Sequence, residues 1–344
     1  MPTSPTQRHA ASSTTSPDEV AALAAASVSY SGAWRRARER ILITGIGGNL
    51  GRRLTQRLHR RASVIGIDRR PVPGLPKDVE LHRVDIRRRQ VEDIFRTSKA
   101  SAVVHLNIMH DPRASQEELH SFNIVGTSKV IEYCQRFDIP KLVLLSSANV
   151  YGPSPDNNQF LDEQSPLMAA TGFGDIRSLV ELDMLGSTFF WRYPSIESVI
   201  LRPVHILGAV TNAASNYLRL KRPISLMGFD PMVQVIHIED VVSAIERALK
   251  PGIKGIFNVV GPGEAPLSAL FKALGTRSLP LPGWVARKVA QLAWRARLSD
   301  FPPPELEHLR FICMADGRRA RESLGFDPAY DLPATIQAIH EDPV

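Results

Sequence analysis

Gly45, Gly48 and Gly51 recur at a spacing of three within Ile-Leu-Ile-Thr-Gly-Ile-Gly-Gly-Asn-Leu-Gly, residues 41–51. A short apolar strand that runs into such a turn and then a helix suits a pyrophosphate. One glycine permits the tight turn, one lets the phosphates approach the backbone, and one allows close packing of helix on strand. The N–H groups of Asn49, Leu50 and Gly51 open the helix at the positive end of its dipole. Asp68 closes the next apolar strand, Ser63–Ile67, where a carboxylate can accept from both hydroxyls of an adenosine ribose. The expected ligand is therefore a dinucleotide. Asp68 favours NAD, because it repels a 2′-phosphate; Arg69 and Arg70 follow at once and leave NADP open.

The elements that must hold these residues alternate. Strands are expected at Glu80–Val84, Ala102–Leu106, Lys141–Ser146 and Ser198–Arg202, with helices around Val91–Thr97, Glu117–Phe137 and Ile176–Phe190. That order predicts an α/β fold, a Rossmann-type doubly wound parallel sheet with ligands at the carboxyl ends of its strands. Residues 39–203 form the expected nucleotide-binding domain. Residues 204–344, with the short elements Val233–Ile238, Asp240–Leu249 and Phe257–Val260, read as a smaller substrate lobe whose late strands return to the sheet.

Composition narrows the class. The 344 residues carry a net charge of +7, spread over short arginine clusters that read as a solvated basic surface, and no nucleic-acid partner is expected. Cys134 and Cys313 lack metal-ligand spacing, so no metal and no disulfide framework is expected, in keeping with a cytoplasmic location. Residues 1–38 read as a Ser/Thr/Ala/Pro-rich tail. Residues 284–298 predict a helix carrying two tryptophans and several basic residues. It reads as a docked surface helix, with contact to an anionic membrane as the alternative.

Beyond the glycine turn, a series of short motifs follows in order: Asp85-Ile86, His105-Leu106, Asn123-x-x-Gly126-Thr127, Ser146-Ser147-Ala148-Asn149-Val150-Tyr151-Gly152, Leu201-Arg202-Pro203, His237-x-x-Asp240 and Leu324-Gly325-Phe326-x-Pro328. Through them the chain, from about residue 41 to 340, resembles the extended short-chain dehydrogenases/reductases of the NAD-dependent epimerase/dehydratase group. The resemblance implies that Asp85 and Ile86 flank the adenine, that Leu106, Asn107 and Asn123 line the cofactor, and that Pro203 and Val204 lie beside the nicotinamide. Ser147 would hydrogen-bond the reacting oxygen of the substrate. It further implies a small-molecule substrate, a nucleotide sugar or a lipid alcohol, and a homodimer.

One motif departs from the pattern. The family's Tyr-x-x-x-Lys, general acid/base and ribose clamp, falls on Phe173 and Arg177, with Glu181 four residues on. Phenylalanine fills the ring volume but has no proton to exchange, whereas Arg177 still donates to ribose hydroxyls. A literal Tyr217-x-x-x-Lys221 lies in the expected substrate lobe, too far along the chain to replace the pair. His110, Asp175 and His205 are the remaining groups able to move a proton, and His205, beside Leu201-Arg202-Pro203, is the best placed by pKa. Two readings stay open: an NAD(P)-dependent epimerase, dehydratase or reductase with substituted acid/base residues, or a dinucleotide-binding sensor or scaffold that has lost turnover.

Overall fold

The computed structural model describes residues 39–111, 113–169, 176–210, 212–298 and 301–341. Seven parallel strands build the main sheet: β1 (Arg40–Thr44), β2 (Ser63–Asp68), β3 (Glu80–Arg83), β4 (Ala102–His105), β5 (Lys141–Leu145), β6 (Glu197–Pro203) and β10 (Gly255–Val259). Their order is β10-β6-β5-β4-β1-β2-β3. The direction of winding reverses between β1 and β4, and a crevice opens there beyond the strand ends. Thr44 is the pivot, paired with Ile67 on one side and with His105 on the other.

Side chains alternate across the strands, so each face gathers its own core. Ile41, Ile43, Val64 and Val104 pack with Leu54 and Leu58 of helix α1 (Asn49–Leu58) and with Val241 and Ile245. Leu42, Ile65, Val103 and Leu144 point the other way, onto Val91 and Phe95 of α2 (Gln90–Ser98) and Val130 and Cys134. This doubly wound α/β arrangement is the expected fold.

The helix expected over Glu117–Phe137 is not uniform. A short α3 (Gln116–Leu119) passes into a π-helical stretch, His120–Val125, before α4 (Gly126–Arg136) resumes. Asn123 sits in that stretch, fully buried. Its amide oxygen accepts from the N–H of Met109, and its nitrogen donates to the Met109 carbonyl and to Ser178 Oγ. A side chain that bridges the loop after β4 to α5 (Arg177–Arg192) favours the extra residue per turn.

After β6 the chain builds two small sheets. One orders β11-β9-β7 from Glu264–Pro266, Met232–His237 and His205–Leu207; the other pairs β8 (Ile224–Leu226) with β12 (Leu279–Leu281). Helices α6 (Ala213–Leu218), α7 (Ile238–Ala248), α8 (Leu267–Ala273) and α9 (Gly283–Arg295) interleave with them. A separate core of Leu207, Tyr217, Val235, Leu270 and Phe271 holds this part together. Strand β10 nevertheless returns to pair with β6, so the late chain closes the edge of the main sheet.

Candidate active site

A cleft of about 690 Å³ lies over the carboxyl ends of β1, β4, β5 and β6. Gly45, Gly48, Asn49, Leu50, Gly51, Asp68, Arg69, Leu106, Asn107, Ser147, Pro203, Val204 and His205 all line it. The glycine turn is shaped by hard sterics. Gly45 has φ of +76°, and a Cβ there would stand 2.8 Å from the Asn107 nitrogen. At Gly51 a Cβ would meet the Gly45 oxygen at 2.6 Å, so the helix start presses on the strand end. Gly48 precedes α1 in extended conformation with no side chain capping the helix, and its own Cβ position is the roomier one. The first N–H groups of α1 are thus presented at the cleft, a cradle into which the diphosphate of a dinucleotide fits.

Asp68 is buried at the end of β2. One carboxylate oxygen accepts from the Gly47 N–H at 3.0 Å; the other accepts from the Arg70 N–H at 3.0 Å and from Arg70 Nε at 3.3 Å. The carboxylate therefore braces the turn as well as facing the cleft. Beside it the Arg69 guanidinium lies 4.9 Å from the centre of the Phe122 ring, which Arg87 approaches as well.

Four residues expected at the cofactor stand outside the cleft lining. Asp85 is held by Arg87, whose Nη2 and Nε donate at 2.7 and 2.9 Å, and this pairing keeps the carboxyl below its usual range. Ile86 is packed in the core beneath the sheet, its methyl against Gly126. Asn123 spends its amide on Met109 and Ser178. Arg177 is exposed at the start of α5, 3.6 Å from Glu181, its i+4 neighbour on the same helix face. Phe173 and Asp175 lie outside the described residues.

The floor of the cleft rests on a buried polar network. Arg202 donates to both oxygens of Asp183, from Nη2 at 2.6 Å and from Nε at 2.8 Å, and Nη1 donates to the Tyr151 hydroxyl at 2.8 Å. Tyr151 in turn donates to Asn258 at 2.7 Å, and burial pushes its phenol up to about 12. Ser146 Oγ donates to Asp183 at 2.6 Å. This network pins the carboxyl ends of β5 and β6 and presents Ser147, whose Oγ accepts from the Asn149 N–H at 3.2 Å. The serine proton is left to point elsewhere.

The far wall adds a feature that sequence spacing did not single out. His205 meets His308 edge to face at 5.6 Å between ring centres, and His308 Nε2 lies 3.6 Å from Glu305. All three line the cleft, although His308 arrives from a 3-10 segment, Pro303–Leu309, about a hundred residues after His205. Burial lowers His205 to about 4. Burial together with the charge of His205 takes His308 to about 3. Both are neutral at pH 7. The sequence held one signal for the pair, a Glu-x-x-His spacing at 305–308, but nothing that tied it to His205. His110 is exposed at the rim. Among the described residues no group of three or more His, Cys, Asp or Glu is disposed to hold a metal ion.

Residues 41–260 match the NAD dependent epimerase/dehydratase family. The chain belongs to that family. Its curated relatives include an uncharacterized protein of Mycobacterium tuberculosis, 25% identical over 312 residues, which span 88% of this chain and 82% of the relative. A UDP-glucuronate 4-epimerase of Thermodesulfobacterium geofontis is 27% identical over 255 residues, 66% of this chain and 76% of that one. Among solved structures, the UDP-glucose 4-epimerase of Thermus thermophilus in complex with NAD superposes with a TM-score of 0.67. The match covers 87% of this chain and 97% of that one at 21% identity, a likeness of fold.

Proposed function

We propose that this family member binds NAD along the β1–β4 side of the cleft and exchanges hydride with a carbon that bears a hydroxyl or keto group. A single observation carries the reading. The glycine turn and Asp68 share one cleft with Ser147, His205 and His308. NAD in the Thermus thermophilus structure supports the choice of cofactor. Bound here, the dinucleotide supplies the hydride acceptor or donor. The chain's residues do the rest: the first N–H groups of α1 receive the diphosphate, Asp68 receives the ribose hydroxyls, and Ser147 donates to the substrate oxygen. When an alcohol is oxidised, its C–H hydrogen leaves with the electron pair and the O–H proton goes to His205. When a ketone is reduced, that proton returns. Neutral at pH 7, His205 can accept it, with His308 edge to face beside it.

Purified protein titrated with NAD and then followed by NADH absorbance against a panel of alcohols and sugar nucleotides tests this. Saturable binding with turnover that His205→Gln lowers by about 10²-fold or more is the expected result; no dinucleotide binding would sink it. A second reading, a dinucleotide-binding sensor without turnover, draws on Phe173 in the sequence and on the low pKa of His205, well under the range near neutrality that suits a general base. Tight NAD binding with no turnover on any substrate favours that reading. The division into a nucleotide-binding part through residue 203 and a substrate lobe thereafter belongs to the same proposal.

A further inference from the structure

We propose that the substrate end of the cleft takes a neutral, lipophilic alcohol or ketone and excludes nucleotide-diphosphate sugars. This rests on the dinucleotide reading for the opposite end. Apart from His205, Asn212, Asn216, Glu305 and His308, the wall built after β6 is mostly apolar, with Leu218, Val233, Leu267, Leu270, Phe301 and Leu309 facing the cleft. No Lys or Arg of residues 204–309 is among the described lining residues, and the undescribed residues 170–175, 211 and 299–300 contain none. Glu305, the carboxylate that this wall presents among the described residues, would repel a diphosphate.

Other anion receptors are also spent. Arg219, one residue beyond α6, turns its guanidinium onto the carbonyls of Gly208, Val210 and Ile339. The start of α6 is closed by a capping box in which Asn212 accepts from the Ser215 N–H and Ser215 Oγ accepts from the Asn212 N–H. At α8, Asp230 accepts from both the N–H and the hydroxyl of Ser268. The cations that do line the cleft belong to the loops after β2 and β4: Arg69 and Arg70 beside Asp68, and Arg113, which lies 4.0 Å from the centre of the Trp294 ring. Burying two phosphate charges against this wall would cost several kcal/mol per ion, with no Lys or Arg of residues 204–309 among the described lining residues to offset it, whereas an apolar body loses only water.

Binding to the full chain with NAD present decides the matter, using UDP-glucose against two neutral probes, a hydroxysteroid and a secondary fatty alcohol. The expected result is saturable binding of at least one neutral probe and none of UDP-glucose. Val233→Arg and Asn216→Arg, both at half-buried lining positions, should weaken the neutral probe by about tenfold or more, the penalty for placing a charge in an apolar site. UDP-glucose binding tighter than the neutral probes, or no saturable binding of either neutral probe, would overturn the proposal. NAD titrated alone separates the two levels: its failure strikes the cofactor reading, whereas NAD binding with a UDP-glucose preference strikes only the substrate class.

A separate observation carries a second proposal, that the outer face of α9 docks on an anionic lipid surface. Only Ala286 and Ala290 of this helix are buried, while Trp284 and Leu292 on it are 68% and 70% exposed and Leu298, three residues past its end, is 81% exposed. Met227 and Leu279, at the β8–β12 ladder, are exposed as well, and there the Met227 N–H donates to the Leu281 carbonyl. Residues 283–298 include Arg287, Lys288, Arg295 and Arg297 and no acidic residue; Arg287 pairs with Glu307 at 3.3 Å, and the balance stays basic, as in an interfacial helix. Co-sedimentation of the full chain with phosphatidylserine/phosphatidylcholine vesicles should exceed that with phosphatidylcholine alone, fall with salt, and drop at least about tenfold in Leu292→Glu. Equal sedimentation with both vesicles, none with either, or no change in the variant would overturn it.

Discussion

The imidazoles of His205 and His308 meet edge to face, with centroids 5.6 Å apart and planes at 77°, although about a hundred residues separate them in the chain. Both are held neutral, His205 near 4 and His308 near 3. A base acts in its neutral form, so any turnover should fall off on the acid side near pH 4, not near the ordinary imidazole value. His205→Gln should lower the rate by about 10² to 10⁴-fold, the usual weight of general acid–base catalysis. A pH–rate profile of NADH formation reads both; an acid limb close to 6.5 would count against His205.

Gly45→Ala places a Cβ against the Asn107 nitrogen on a backbone with positive φ. The turn must shift, and the N–H groups of α1 shift with it. NAD affinity should drop by at least about tenfold, with a stability cost of about 1 to 3 kcal/mol for the strained backbone. Fluorescence titration and thermal melting of the same preparation separate the two effects.

Asp68→Ala removes the carboxylate that disfavours a 2′-phosphate and leaves Arg69 and Arg70 beside it. The ratio of NAD to NADP affinity should move toward NADP by about tenfold or more, since hydrogen bonds to charged groups are each worth about 1.5 to 3 kcal/mol. Parallel titrations with both dinucleotides check it. An unchanged ratio would show that the ribose does not reach β2.

Arg202 and Asp183 form a doubly bonded ion pair with almost no exposure. Asp183→Ala strands a buried guanidinium and frees Ser146, and should cost about 3 to 5 kcal/mol. The double variant Arg202→Met with Asp183→Leu should recover much of that loss, because neither charge then remains in the core. Urea midpoints of the two variants test the order.

His105 is enclosed between Thr44 Oγ1 at 2.6 Å and Thr127 Oγ1 at 2.9 Å, and burial lowers it from 6.5 to about 4. The unfolded chain takes up that proton first as pH falls. The contribution of His105 to stability is therefore complete above about 6.5 and is lost as pH drops toward 4, each pH unit in that window being worth about 1.4 kcal/mol. His105→Gln should flatten the slope of stability against pH across the same window. Melting curves of both proteins between about pH 7 and about pH 4 read that slope, and an unchanged slope in the variant would assign the effect to another group.

Local patterns decided the sheet and its cofactor end. Alternating apolar strands and the glycines at 45, 48 and 51 are short-range signals, each complete within about a dozen residues, and they placed Gly45, Asp68 and Leu106 where the cleft opens. Residue identity also gave the expectation, through the family resemblance, that Phe173 and Arg177 stand at the Tyr-x-x-x-Lys positions. Only the tertiary structure decided what those motifs touch. Asp85 turns to Arg87 two residues on, and Asn123 turns to a loop fourteen residues back, because a polar side chain takes the nearest partner that folding leaves it. The His205–His308 pair, the bond from Arg219 to the Ile339 carbonyl, and the meeting of Leu218 and Val233 with Phe301 and Leu309 on one wall arise from contacts across roughly seventy residues or more, which no spacing within one segment encodes. Short-range order in this chain sets where the glycine turn and Asp68 open onto the cleft; long-range packing sets which side chains face them.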